Sequence, residues 1–181
     1  AHLLKARYNV ADERLNPHPF HEPLEVGPFR LQLLPAGHIY GSAMLHVTRK
    51  ADGESLLYTG DFKVHHSLTA EEPVFRRADT LVMETTFGAP KWIFPGENEI
   101  TGMILNFVNQ SLEEGVVPAL LAYSLGKAQE VQAILTRSGI PAVSHPAVAK
   151  MTAACREAGC QLPEPLTFEG TVPGGHALIC P

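Results

Sequence analysis

The rhythm of hydrophobic and polar positions changes about half-way along the chain. From residue 24 to residue 62 the period is short. LEV (24–26) and FRLQLL (29–34) flank the turn pair Gly27-Pro28 and read as a hairpin. Pro35 stops the second strand, and AGHIYGS (36–42) follows as a loop with two glycines. AMLHVTR (43–49) alternates apolar and polar residues, ADGE (51–54) carries turn chemistry, and SLLYTGDF (55–62) returns. Pairing across that turn puts Asp61 opposite the region of Met44, beside the loop that holds His38. Both side chains are therefore expected at one end of one sheet. TLVME (80–84) is another short apolar run, ending on Glu84.

After Pro95 the period lengthens. Ile100, Met103, Ile104, Phe107, Val108 and Leu112 recur at helical spacing, and Gly115 is the stop. Residues 116–123 read as a buried strand. Ser124 or Leu125 then opens a second helix through Val131, Ile134 and Leu135 to Gly139. AVSH (142–145) is a short strand, Val148, Met151, Cys155 and Ala158 mark a third helix, and HALIC (176–180) is again strand-like. Strand and helix thus alternate from about residue 96, the pattern of a parallel α/β layer. The break lies in GAPKWIFPGE (88–97), which divides the chain into residues 1–92 and 93–181. No repeat or low-complexity tract is visible.

Bulk properties narrow the class. A chain of 181 residues suits one domain or two small ones. No apolar run approaches a membrane span; VVPALLAY (116–123) is too short and contains proline. AHLLKARYNV has no signal-peptide character and no initial methionine, so a further upstream segment is expected. Three cysteines without C-x-x-C spacing argue against a disulfide framework or zinc knot, and point to the cytoplasm. A formal charge of −5 argues against broad electrostatic attraction to nucleic acid, so a basic patch would have to be local or supplied from elsewhere.

Candidate chemistry begins with His38 and Asp61. An imidazole and a carboxylate converging at strand ends suit zinc, yet a zinc ion needs three or four ligands. A loop histidine hydrogen-bonded to backbone, beside a turn-capping aspartate, is the commoner arrangement. His46 lies between apolar Leu45 and Val47 and is expected to face outward. His65 and His66 belong to a solvated loop, and His145 before Pro146 suits a helix start. Ser124, Gly126 and Lys127 in SLGKAQE stand at a strand-to-helix turn, where free amides favour an anion. The G-x-x-x-x-G-K-S/T loop of nucleotide-binding proteins is absent, and helix capping by Ser124 explains the turn equally well. Trp92 and Phe94 beside Lys91 suit base stacking, or packing at a domain junction.

PAGHIYGSA, then LLYTGDF, then ADTLVMETTFG together resemble the β-CASP branch of the metallo-β-lactamase fold. That branch contains nucleases of DNA repair and RNA processing, among them the cleavage and polyadenylation endonuclease. AYSLGKAQEVQAIL is similar to the strand-to-helix segment of its bacterial ligase-associated DNA exonucleases. The resemblance is close over 24–92 and looser over 97–145. It implies an α/β chain with part of the αββα metallo-β-lactamase fold in residues 1–92 and the start of a β-CASP domain in 93–181. It further implies a metal-dependent nuclease that hydrolyses phosphodiester bonds of DNA or RNA with two zinc ions, in some relatives beside a DNA ligase or helicase.

The same resemblance makes His38 a metal ligand and Asp61 the carboxylate that bridges two ions. Glu84 becomes a catalytic acidic residue that orients a proton-donating histidine, while Ser124 and Lys127 become substrate contacts. Three features depart from the pattern. The family's His-x-His-x-Asp-His motif is absent, since NPHPFHEP (16–23) does not match it. The later β-CASP histidines are not evident, and Tyr40 stands where many relatives have proline. In family order the missing metal motif belongs before residue 1, so the polypeptide alone is expected to lack a normal dinuclear site. Two alternatives remain, a non-catalytic interaction module on the same scaffold, and another hydrolase such as a thioesterase or lactamase. The long α/β segment after Glu84 speaks against the latter.

Overall fold

The computed structural model describes residues 1–181, and the chain forms two compact units. One comprises Glu13–Pro90; the other joins Lys91–Pro181 with Ala1–Asp12.

The first unit is built on a five-stranded mixed sheet in sequential order. Its strands are β1 (Pro23–Val26), β2 (Phe29–Pro35), β3 (Ala43–Arg49), β4 (Ser55–Tyr58) and β5 (Thr80–Val82). The hairpins fall where the turn residues place them, with Val26 opposite Phe29 and Thr48 opposite Ser55. Between β4 and β5 the chain crosses back, so those two strands run parallel. The crossover, residues 59–79, contains no helix. It lays Phe62, Val74 and Ala78 over Leu34, Ala36, Met44 and Leu57, which form this unit's buried core. Phe62 and Phe75 meet edge to face, with ring centroids 5.9 Å apart. That contact helps hold the crossover on the sheet.

His46 departs from the outward position expected of it. Met44 and His46 share one face of β3, and that face is the covered one; His46 is only 8% exposed. Arg76 and Arg77 of the crossover lie beside the ring, and its Nε2 has no hydrogen-bond partner. The expected alternation is present, with the opposite face covered. A covering made of irregular chain leaves no periodic trace from which to choose it.

The second unit is a four-stranded parallel sheet in the order β6-β9-β7-β8. The strands are β6 (Ala119–Leu121), β7 (Ala142–Ser144), β8 (Leu166–Thr167) and β9 (Ala177–Cys180). Helices α2 (Glu97–Glu113), α3 (Lys127–Arg137) and α4 (Pro146–Glu157) supply the rest, and α1 (His2–Tyr8) packs on α4. The apolar stripes read from the sequence converge in one core. Val108 of α2, Ala128 and Leu135 of α3, Val148 of α4, and Ala177 and Ile179 of β9 are all buried there. Gly115, at φ +72°, ends α2 in a Schellman turn. Its amide donates to Leu112 O, and the Val116 amide donates to Ser111 O.

Two expectations need correction here. Residues 116–123 are not a buried strand. Only 119–121 pair, along the sheet edge against β9 alone, and Val116, Val117, Leu121 and Tyr123 are exposed. An apolar run does not distinguish an edge strand from a central one. Nor does α3 open at Ser124 or Leu125. Its N-cap is Gly126, at φ +92°, whose amide donates to Gln129 Oε1 at 2.7 Å. Ser124 instead contributes its carbonyl, which accepts from Gln129 Nε2.

Candidate metal centre

Three segments end at the same edge of the first unit's sheet. The β2–β3 loop carries His38, the chain after β4 carries Asp61, and the chain after β5 carries Glu84. Because β3 is antiparallel to β4 and β5 is parallel to it, these three points share one end by register.

The loop that holds His38 is fixed by its own polar groups. Ser42 Oγ accepts the amides of His38 and Ile39 at 3.1 and 3.2 Å, and Ser42 O accepts that of Ala36. From the crossover, Glu71 Oε2 accepts the Gly41 amide at 2.8 Å. Lys63 and Val74 donate their amides to Ala36 O and Pro35 O. Gly37 lies at φ +71°, and a Cβ there would stand 3.1 Å from both Lys63 O and Pro73 Cδ. Glycine is required at that position by backbone conformation and by space.

The loop brings His38 Nε2 to 3.9 Å from Asp61 Oδ2, with both side chains open to solvent at 45% and 75% exposure. Glu84 is half-buried, and its Oε2 accepts the Thr86 amide at 2.8 Å. The Thr86 amide and hydroxyl, and secondarily the nearby His38, hold the Glu84 carboxyl below the ordinary range, so it stays ionised.

The donor set suits a zinc ion. Two ligands of one tetrahedral zinc lie about 3.3–3.5 Å apart. The observed separation is slightly wider, within reach of a small side-chain rotation. Geometry and donor type therefore fit a shared ion, but the set is short. No group of three His, Cys, Asp or Glu side chains gathers where it could hold one. Three other histidines are engaged elsewhere. His66 pairs with Glu72, His18 Nε2 lies 2.9 Å from Glu22 O, and His145 caps α4 by accepting the Ala147 amide at Nδ1. The helix-start reading of His145 is thus correct. In the second unit, Ser124 is half-buried and Lys127 exposed, both at the turn that leaves the carboxyl end of β6. Glu71, which ties the crossover to the His38 loop, and Thr86, which fixes Glu84, were not anticipated. Glu71 stands in no motif or periodic run, and Thr86, although it lies within ADTLVMETTFG, is not singled out there by residue type or spacing.

No protein-family model matches the sequence. Curated relatives do. The chain is 39% identical over 149 residues to a probable DNA ligase of Opitutus terrae, an alignment covering 82% of this chain and 15% of that protein. It is 35% identical over 125 residues to the transcription termination factor FttA of Methanothermobacter thermautotrophicus, covering 66% of this chain and 20% of FttA. An RNase J-like protein of Methanocaldococcus jannaschii is 31% identical over 109 residues, 58% of this chain and 25% of its own length. The chain thus spans a quarter or less of each of these relatives. A mixed sheet with His38, Asp61 and Glu84 at one end, followed by parallel α/β structure, agrees with these likenesses. The chain belongs to the β-CASP branch of the metallo-β-lactamase fold.

Proposed function

We propose that the chain supplies one face of a zinc-dependent phosphodiesterase site in a nuclease acting on DNA or RNA. The observation that carries this reading is the approach of His38 Nε2 to Asp61 Oδ2 at the sheet end where Glu84 also lies. His38 and Asp61 would hold metal, with Asp61 as the carboxylate shared between two ions. When bound, zinc supplies an acidified water and a positive clamp for the attacked phosphate. Asp61, largely open to solvent, leaves both oxygens accessible for that task. Glu84, kept ionised by Thr86, is suited to hold and orient a protonated imidazole near the leaving group. Ser124 and Lys127 would grip the phosphate backbone from a strand-to-helix turn. We assign the metallo-β-lactamase portion to residues 1–92 and the β-CASP portion to 93–181, with Ala1–Asp12 of the former packing as part of the second compact unit. Beyond the site, the cytoplasm is the proposed compartment, and a ligase or helicase the proposed associate. No helix is long and apolar enough to cross a membrane.

A second reading, an interaction module without catalysis, is favoured by one observation: only two donors approach each other. Metal content of a longer polypeptide that includes this segment separates the readings. Two donors give weak binding, so the 181-residue polypeptide should retain well under one zinc per chain after dialysis, measured by elemental analysis, and cleave nucleic acid negligibly. In a longer polypeptide that includes this segment and holds zinc, Asp61→Ala should abolish cleavage and lower zinc content, with circular dichroism unchanged. Normal zinc and turnover in that variant would remove Asp61 from the metal site.

A further inference from the structure

The segment between Pro90 and Pro95 plays no part in the metal chemistry, yet it exposes more apolar surface than any loop needs to. Trp92 is 46% exposed, Ile93 88% and Phe94 59%. Leaving such side chains in water forgoes the gain that burying large apolar residues brings. The exposure is organised. The rings of Trp92 and Phe94, two positions apart, lie within 7° of parallel with centroids 6.4 Å apart. Lys91 Nζ stands 5.2 Å from the Trp92 ring centroid, a cation–π distance. Ile93 closes a tight turn by donating its amide to Lys91 O at 3.2 Å. A proline on either side restricts the backbone, so little freedom is lost when a ligand settles on the rings.

The geometry points to Lys91, Trp92 and Phe94 as a stacking platform for unpaired bases of single-stranded nucleic acid, an inference that rests on the nuclease reading. Two flat faces held in one plane direction match the faces of adjacent bases. A single cation beside them matches the intervening phosphate. Lys91 is the only charged residue in GAPKWIFPG (88–96), so the platform has a local positive charge on a chain whose net charge is −5. A protein partner for the same surface would meet the rings without needing either the cation or the parallel arrangement. Stacking reads the π-face and not the sugar, so DNA and RNA should bind alike.

Trp92 is the only tryptophan, which makes the chain its own reporter. The test uses the 181-residue chain in EDTA, so that no cleavage intervenes. Single-stranded oligonucleotides of one mixed sequence, as DNA and as RNA, are titrated while tryptophan emission is followed. An abasic oligomer of the same length is the control. The expected result is saturable quenching by both sugars at similar affinity, with the abasic oligomer at least about ten-fold weaker. Phe94→Leu should weaken quenching by a similar factor. Trp92→Leu, followed by anisotropy of a labelled oligonucleotide, should do the same with an unchanged circular dichroism spectrum. Abasic binding as tight as the base-bearing strand overturns the platform and leaves the phosphate-binding nuclease reading standing. Wild-type affinity in both variants, or a preference above ten-fold for one sugar, also overturns it. No binding of any strand overturns the platform, while the nuclease reading is decided separately by zinc content and cleavage in the longer polypeptide. Tryptophan emission that shifts with protein concentration alone, but not with oligonucleotide, assigns the surface to a second copy of the chain.

Discussion

At the scale of single residues, the loop that presents His38 contains two glycines in the same backbone region with different freedom. Gly37 (φ +71°) and Gly41 (φ +73°) would each cost about 1–2 kcal/mol as alanine from backbone strain alone. At Gly41 a Cβ meets nothing within 4 Å, whereas at Gly37 it meets Lys63 O and Pro73. Gly37→Ala should therefore lower the melting temperature of the Glu13–Pro90 unit distinctly more than Gly41→Ala. The scale is about 4–8 °C per kcal/mol for a unit of this size. Equal losses, by thermal unfolding, would mean that the crossover yields freely around Gly37.

His46 supplies a second residue-scale expectation. Burial, reinforced by Arg76, lowers its pKa below the ordinary histidine value, while its hydrogen bond to the Arg77 backbone opposes the shift. The groups facing the ring are Gln32 and Leu57 on the neighbouring strands and Arg76 and Arg77 on the crossover. The folded state therefore binds fewer protons than the unfolded chain as pH falls through about 6.5. Stability is fully present above that unfolded value and declines as pH drops toward the lowered folded pKa. Denaturant titrations between pH 7.5 and 5 should show this loss, and His46→Leu should flatten it. An unchanged slope in the variant would place the pH dependence elsewhere. The alternation of β3 was legible in the sequence, and so was the shared end of His38 and Asp61, because turn chemistry fixes register. Which face of β3 is covered was not, because residues 59–79 make that cover without any repeating pattern.

Among elements, the start of α3 shows how a buried side chain replaces the usual cap. Gln129, 1% exposed, accepts the Gly126 amide and donates to Ser124 O and, at 3.0 Å, to Thr152 Oγ1. Thr152 in turn donates to Gln132 Oε1. One glutamine thus sets the strand-to-helix turn and ties α3 to α4. The sequence gives Ser124 the role by type, since serine is the commoner cap. Only the packing of α4 against α3 reveals why glutamine takes it. Gln129→Ala leaves the Gly126 amide and the Thr152 hydroxyl without this partner, at about 1–3 kcal/mol for an unsatisfied buried group. Thermal unfolding of the variant should show that loss in the α/β unit. Gln129→Glu, which keeps the acceptor, should retain more of the cap than alanine does. A neutral Gln129→Ala would show that water serves the turn equally well.

On the scale of the whole molecule, the two units differ in how completely their sheets are covered. The parallel sheet of the second unit packs its helices into a continuous core. In the first unit one face holds Leu34, Met44 and Leu57 under the crossover. Register puts Leu31, Leu33, Leu45, Val47, Leu56 and Tyr58 on the opposite face. None of these six is fully buried, and Tyr58 is exposed. A sheet apolar on both faces is the inner layer of a larger stack, as the αββα architecture of its family requires. A contiguous apolar face of this kind binds hydrophobic dye and promotes association. The 181-residue chain should therefore enhance ANS fluorescence at neutral pH and show concentration-dependent mass by light scattering. Leu33 and Leu45 stand directly opposite each other, so Leu33→Lys with Leu45→Glu places an ion pair across the open face. That double variant should lose most of the dye binding and self-association while its far-ultraviolet spectrum stays unchanged. If it unfolds instead, this face belongs to the unit's own core. If it folds and binds dye undiminished, the apolar surface responsible lies elsewhere, and Ile93 with its aromatic neighbours is the next patch large enough to account for it.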